Sequence, residues 1–304
     1  MKEAIIYYYN CYNIDIRLIK KVARFSFKGE EFALVPLERN PKELKNLIEY
    51  NNELRKMGFN SHLIIANRFG GVISQINNCN YVLLQLMGQL NEKIDIFDII
   101  ENSKKYRVNL KNSSKLFHNW ADLWQRKVDY LETQIKLIEE KNQKVIGNFS
   151  YYIGLAENAI LYYKGIDQSF EKRLSLAHRR VFSPNIWLNY GNPLTFVFDV
   201  PCRDYAEYIK SSFFYDSANS GYENFNLLLK TEKMDKQMLE LLISRLLFPS
   251  YYFDVFEEIV LNRSDEKKLL IIVEKAGDFE RFLRYCFNTI KNTMDINEIP
   301  LWLL

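Results

Sequence analysis

The residues best placed by type and spacing to do chemistry lie between His178 and Asp204, in HRRVFSPNIWLNYGNPLTFVFDVPCRD. Sites that transfer a phosphoryl group to a hydroxyl set a histidine, a carboxylate base two residues on and an asparagine five further. An apolar strand ending in a metal-binding aspartate follows. His178 and Asn185 stand at that spacing, and Asp199 closes the apolar run Phe196-Val197-Phe198. The base position holds Arg180, and a guanidinium protonated at any ordinary pH cannot accept a proton from a hydroxyl. No catalytic residue is therefore assigned in the segment His178, Arg180, Asn185, Asp199 and Asp204. Asn185 and Asp199 are the candidate magnesium ligands, expected at the two ends of a strand-turn-strand with Gly191-Asn192-Pro193 at the turn. Asp204 opens a helix, where a first-turn carboxylate is favoured, and it can also bind the backbone of the 178–180 loop. The pair Arg179-Arg180 suits bidentate binding of a phosphate or carboxylate. A salt bridge from this pair to Asp199, Asp204 or a nearby Glu is the preferred reading.

Phosphoryl transfer also asks for a backbone cradle for the phosphates and a lysine on the third strand. No glycine precedes Gly29, and the first turn, near Lys20-Lys21, is bulky and charged. The alanine-x-lysine position in FALVPL is occupied by Val35, and the nearest cation, Arg39, lies beyond the strand. Glu43 and Glu49, on the helix that follows, are candidate partners for such a cation, with solvent-exposed charge the preferred reading. Other chemistries find no motif: GxSxG, HExxH and Walker A are absent. The pair Glu139-Glu140 reads as solvated charge. Cys11, Cys79, Cys202 and Cys286 form no CxxC pair and lack histidines at zinc-ligand spacing, which fits a reducing compartment. The chain has 3 His in all, so a histidine-rich metal site is not available.

The elements that must position these residues follow from the pattern of apolar residues. Residues 3–10 form a short helix or apolar leader. Residues 15–27 alternate like a strand and pair, through a Lys28-Gly29-Glu30 turn, with 32–37. Asn40 and Pro41 start a helix whose stripe is Leu44, Leu47, Ile48, Leu54 and Met57, and Gly58 stops it. Strands follow near 61–66, 72–76 and 81–87. Beyond them, helices are expected over 113–140, 150–163, 204–215, 236–248, 251–261, 265–274 and 278–292, with polar loops at 141–149 and 216–223. The fold class is thus α+β: a small lobe over 1–90 with an antiparallel sheet and one helix, then a larger helical lobe over 91–304 that carries the 178–204 segment.

Bulk composition suits a globular chain, 48% hydrophobic and 26% charged over 304 residues. A net charge of +3 argues against a nucleic-acid footprint. The basic cluster Arg17 to Arg24 is interleaved with Leu18, Ile19, Val22 and Ala23 and reads as a solvated strand face. Aromatic residues at 15% point to bulky packing and, secondarily, to assembly surfaces. Trp120, Trp124 and Trp187 are expected in the core. Neither a signal peptide nor a transmembrane segment is expected.

In FSYYIGLAENAILYY (149–163), SPNIW, FDVPCRDYAEYI, RLLFPSYYFDVFE (245–257) and the ending IPLWLL (299–304), the chain resembles the YutH-type endospore coat-associated proteins. These are a CotS-like branch of the aminoglycoside phosphotransferase and protein kinase-like superfamily. The resemblance implies a two-lobed kinase-like fold, synthesis in the mother-cell cytoplasm, association with the spore coat during sporulation, and other coat proteins as partners. With Arg180 and Val35 in place of the base and the strand lysine, the expected role is binding or scaffolding by a catalytically inactive, pseudokinase-like protein without a cofactor. The alternatives are a divergent small-molecule kinase, or a nucleotide or phosphometabolite sensor, with Asn185 and Asp199 holding metal and Mg-ATP.

Overall fold

In the computed structural model, residues 1–19, 21–107, 119–138, 147–167, 174–181, 184–261 and 266–299 are described. Lys20, the start of the 113–140 helix, Glu139-Glu140, Phe182, Ser183 and the last residues of IPLWLL lie outside them. The chain divides into two compact units, Met1–Ile94 with Pro184–Val197, and Asp95–Ser183 with Phe198–Leu304.

The first unit is built on a six-stranded antiparallel sheet. Helix α1, Lys2–Tyr9, ends on Asn10 in the left-handed region. Strands β1 (Arg17–Ile19), β2 (Val22–Phe27) and β3 (Glu30–Pro36) follow. The β2–β3 hairpin turns on Lys28 and Gly29, both at positive φ (52° and 82°), which suits the right-handed twist of paired strands. Strands β4 (Leu63–Ile65), β5 (Ser74–Ile76) and β6 (Cys79–Gln85) complete the order β1-β2-β3-β6-β4, with β5 also paired to β6. Alternation along the strands buries Ala23, Phe25, Leu34 and Leu83 against Ile5, Cys11 and Ile14. Helix α2, Leu44–Lys56, follows a 3-10 turn at Pro41–Glu43, where the Asn40 side chain accepts from the Lys42 N–H. It buries Leu44, Leu47 and Leu54 and gives way to Gly58 at φ 91°.

The stretch leading to Asp199 corrects the expected strand-turn-strand. Trp187–Tyr190 is a helical turn and Pro193–Thr195 a 3-10 turn, and only Phe196–Asp199 (β8) is extended. The cause is local: Asn192 accepts from the Leu194 N–H, proline follows it, and the Ile186 carbonyl accepts from Asn189 and Tyr190.

The second unit is mostly helical. Helix α3, Ile96–Lys105, was not expected; Asp95 and Asp98 form a reciprocal capping box ahead of buried Ile96, Ile99 and Ile100. Then come α4 (Trp120–Ile138), α5 (Phe149–Lys164) and strand β7 (Ser175–His178), which pairs with β8. Helix α6 (Cys202–Ser211) runs on into a π-helical turn at Ser212–Asp216. The polar loop expected over 216–223 is instead the start of helix α7, Ala218–Thr231. The Ser217 hydroxyl caps the Ser220 N–H, and Gly221, Phe225 and Leu228 are buried at steps of four and three. Gly221 is required there, because a Cβ would stand 2.9 Å from the Phe213 ring. Helices α8 (Lys236–Leu247), α9 (Ser250–Val260), α10 (Lys267–Glu274) and α11 (Ala276–Lys291) close the unit. Among the described residues no helix is long and apolar enough to cross a membrane.

Candidate functional site

In the helical unit, β7 delivers His178 and the start of α6 delivers Asp204, and the two meet. The His178 backbone N–H donates to Asp204 Oδ1 at 2.9 Å, and its ring Nδ1 to Oδ2 at 2.6 Å. Asp204 therefore binds the backbone of the 178–180 loop, as its position suggested. Arg203 holds the same loop from the other side, donating from Nε to the His178 carbonyl (2.7 Å) and from Nη2 to that of Arg179 (3.2 Å). Adjacent residues on one helix thus grip both polarities of one strand end, which fixes the loop without a ligand.

Asp199 is 1% exposed. Its Oδ1 accepts from the Val200 N–H at 2.8 Å, and its Oδ2 accepts from Trp120 Nε1 at 2.8 Å and from Arg203 Nη1 at 2.6 Å. Both acceptor directions of Oδ2 are filled, one of them by a cation. A magnesium ion at that oxygen would have to displace Arg203 and sit beside its charge, so the residues around Asp199 do not fit a metal. Among the described residues no group of three or more His, Cys, Asp or Glu is placed to hold a metal ion. The sequence signal for this saturation was an arginine only four residues beyond Asp199; nothing local announced Trp120.

Among the described residues Arg180 pairs with neither Asp199, Asp204 nor a nearby Glu, the expected partners. It forks onto Asp254 of α9, with Nε to Oδ2 at 2.5 Å and Nη2 to Oδ1 at 3.0 Å. Burial opposes its charge, but Asp254 and then Glu207 outweigh it and raise its pKa above the ordinary arginine value. Behind it lies a buried ionic cluster that the sequence reading missed. Glu207 Oε1 meets Lys210 Nζ at 2.9 Å and Arg245 Nε at 3.0 Å, and Ser250 Oγ donates to the same carboxylate. Lys210 also donates to the carbonyls of Arg245 (2.9 Å) and Phe248 (3.1 Å), and the Arg245 guanidinium lies 5.0 Å from the Trp120 ring. Burial lowers the pKa of Lys210 to about 8 against the pull of Glu207. It lowers that of Arg245 to about 10, with repulsion from Arg203 adding to the effect. For Glu207 burial works upward, yet Lys210, Arg245 and Arg180 carry its pKa well below the ordinary carboxylate range. The conspicuous RLLFPSYYF segment thus supplies the carbonyls and hydroxyl that satisfy a buried cation.

Asn185 belongs to the sheet unit. Its carbonyl accepts from the Ile94 N–H at 2.9 Å, and its side-chain Oδ1 is buried without a hydrogen-bond partner. Val35 on β3 is half-buried and apolar. Beyond the strand, buried Arg39 pairs with Glu43 (3.1 Å) and donates to the carbonyls of Leu194 (3.3 Å) and Phe196 (2.6 Å). Glu43 is thus the partner of a cation that anchors backbone, and Glu49 is exposed. His62 is fully buried and neutral, its Nδ1 accepting from the Met87 N–H (3.1 Å) and its Nε2 donating to the Leu188 carbonyl (3.0 Å). Burial lowers its pKa to about 4. Of the tryptophans, Trp120 and Trp124 are core, and Trp187 is half-buried with Phe59 and Tyr190.

The family model described as "Spore coat putative kinase YutH" matches residues 2–286. The endospore coat-associated protein YutH of Bacillus subtilis (strain 168) is 30% identical over 207 residues, 60% of this chain and 59% of that protein. The aligned part therefore spans less than two thirds of that relative's length. Among solved structures, an aminoglycoside phosphotransferase from Alicyclobacillus acidocaldarius superposes with a TM-score of 0.61 at 11% identity, covering 96% of this chain and 97% of that one. The AMP-bound spectinomycin phosphotransferase gives 0.56 at 14% identity, covering 90% and 93%. At such identities the likeness is one of fold alone, and it is the kinase-like fold that the antiparallel sheet unit and the helical unit display. Sequence match and fold agree: the chain belongs to the spore coat YutH family, and its fold is kinase-like, similar to that of the aminoglycoside phosphotransferases.

Proposed function

We propose that this chain works at the spore coat as a binding protein that keeps a phosphotransferase frame and does not transfer phosphate. The observation that carries this reading is the saturation of Asp199 Oδ2 by Trp120 and Arg203 in a site that is 1% exposed. The same exchange of function for structure recurs at Arg180, fixed on Asp254, and at Arg39, fixed on backbone carbonyls. Charged groups held by partners within the chain make the frame rigid around Asp199 and Arg180, and rigidity suits a surface that other proteins dock on. Family membership and the coat-associated relative support a place in the coat, assembled from the mother-cell side during sporulation, with other coat proteins as partners.

A thermal-shift titration with ATP, ADP and GTP, with and without magnesium or manganese, tests this. A ligand that binds only the folded chain raises the melting temperature. The expected outcome at millimolar nucleotide is no metal-dependent shift. A metal-dependent shift that disappears in Asp199→Ala overturns the reading. A second reading, a divergent small-molecule kinase or nucleotide sensor, is favoured by one observation, the unpartnered Oδ1 of Asn185. That reading predicts a nucleotide shift lost in Asn185→Ala.

A further inference from the structure

The basic cluster of the first hairpin is not absorbed by any of these arrangements. Between Asp15 and Glu30 the chain carries Arg17, Lys20, Lys21, Arg24 and Lys28 and no acidic residue. Arg17 on β1 lies directly opposite Arg24 on β2. Like charges facing each other across a strand pair destabilise it unless a counter-charge intervenes. Among the described residues none does: Arg17, Lys21 and Arg24 make no ion pair there. The nearest cross-strand carboxylate, Glu31 opposite Ser26, is taken by the Ser26 hydroxyl. The same hairpin is open at its edge. β1 ends the sheet order, so among the described residues no strand lies beside one side of its backbone. Leu18 and Ile19 on that strand are 60% and 41% exposed. An unpaired edge, apolar side chains turned to solvent and facing arginines without carboxylates occur together on three residues of β1 and their β2 partners.

We propose that the β1–β2 hairpin docks an acidic, extended segment of a partner protein, which adds a strand to the β1 edge and sets its carboxylates on Arg17 and Arg24. Edge addition supplies main-chain hydrogen bonds, and alternate side chains supply specificity. The alternation needed is acidic residues on the arginine face and apolar residues toward Leu18. This names the kind of partner for the binding role proposed above, and it rests on that reading.

The test uses the full chain and a labelled alternating Glu-Val peptide of about eight residues, a typical strand length, followed by fluorescence anisotropy. The expected result is saturable binding that weakens with salt and falls about tenfold or more in Arg17→Glu/Arg24→Glu. That variant should instead bind a Lys-Val peptide. Amide-exchange protection over residues 17–24 of the unaltered chain gives a readout that does not depend on the variant's folding. Absence of peptide binding, equal binding by a peptide with proline at alternate positions, or equal binding by polyphosphate would each overturn the proposal. The last would show a general attraction for polyanions. A chain that binds neither peptide nor nucleotide loses this inference and keeps the non-transferring reading; metal-dependent phosphate transfer removes that reading itself.

Discussion

The two units treat their clustered charges in opposite ways. In the helical unit, Asp199, Asp204, Glu207, Lys210, Arg203 and Arg245 are all buried and all partnered inside the chain. In the sheet unit, Arg17 and Arg24 face each other with no carboxylate on them among the described residues, and burial keeps His62 neutral. A charge with its partner already in place is structural; a charge without one is available for another molecule. By that measure the charges of the segment that looks most like chemistry are held from within, and the plain hairpin at the other end of the chain carries the unmatched ones.

The strongest way to break the comparison is to remove one partner from the helical unit. Arg203→Ala leaves Asp199 buried beside Trp120 with no cation and frees the carbonyls of His178 and Arg179. Breaking a buried pair from one side typically costs about 3–5 kcal/mol, and urea unfolding should show a loss of that size. Adding Asp199→Asn should return part of it, because the orphaned charge is gone. A loss below about 1 kcal/mol, as at exposed pairs, would mean that Asp199 is not held by Arg203 and could turn to a metal.

Acid should discriminate between the units. The His62 pKa is lowered from 6.5 to about 4 in the folded chain, chiefly by burial. Between those values the unfolded chain binds the extra proton and the folded chain does not, so stability falls as the pH drops from about 6.5 toward about 4. The shift corresponds to about 3 kcal/mol. Protonation also removes the acceptor for the Met87 N–H. Hydrogen exchange should therefore quicken first around residues 59–65 and 86–90, and His62→Asn should flatten the pH dependence there. An acid loss that is identical in His62→Asn would place the sensitivity elsewhere.

How far these arrangements could be read from the sequence depends on how local their causes are. Helix α2 was legible because Asn40, Pro41 and Gly58 mark its ends by themselves. Helix α7 was not, because Asn219, Ser220, Glu223 and Asn224 make its first half look like a loop while Phe225 and Leu228 hold it down. Helix α3 was hidden by a capping box that ends in Asp98 in place of the usual glutamate. At the site, the match of His178 with Asp204 follows from the motif's spacing. The partner of Arg180 did not, since Asp254 lies 74 residues away and nearer carboxylates competed for the assignment. Trp120, 79 residues before Asp199, is the same kind of case. Burial decided both, and burial at that range is a property of the fold.

The smallest effect belongs to Arg180, and it sharpens the distinction between a missing base and a dismantled site. The Arg180 and Asp254 side chains are 25% and 39% exposed, so water already screens their pair. Arg180→Ala should cost no more than about 1 kcal/mol, readable as a small shift in the urea midpoint with an unchanged slope. If the base were the only part lost, Arg180→Asp should restore turnover. Two features oppose that. The new carboxylate would meet Asp254, and like charges at close range favour keeping one of them protonated, which weakens it as a base. Asp199 would still be spent on Trp120 and Arg203. The expected outcome is no ATP turnover by Arg180→Asp in a coupled ADP-release assay with magnesium. Turnover by that single variant would show that Asp199 can leave Arg203 for a metal ion, and that the buried pair is a resting arrangement of a site still able to work.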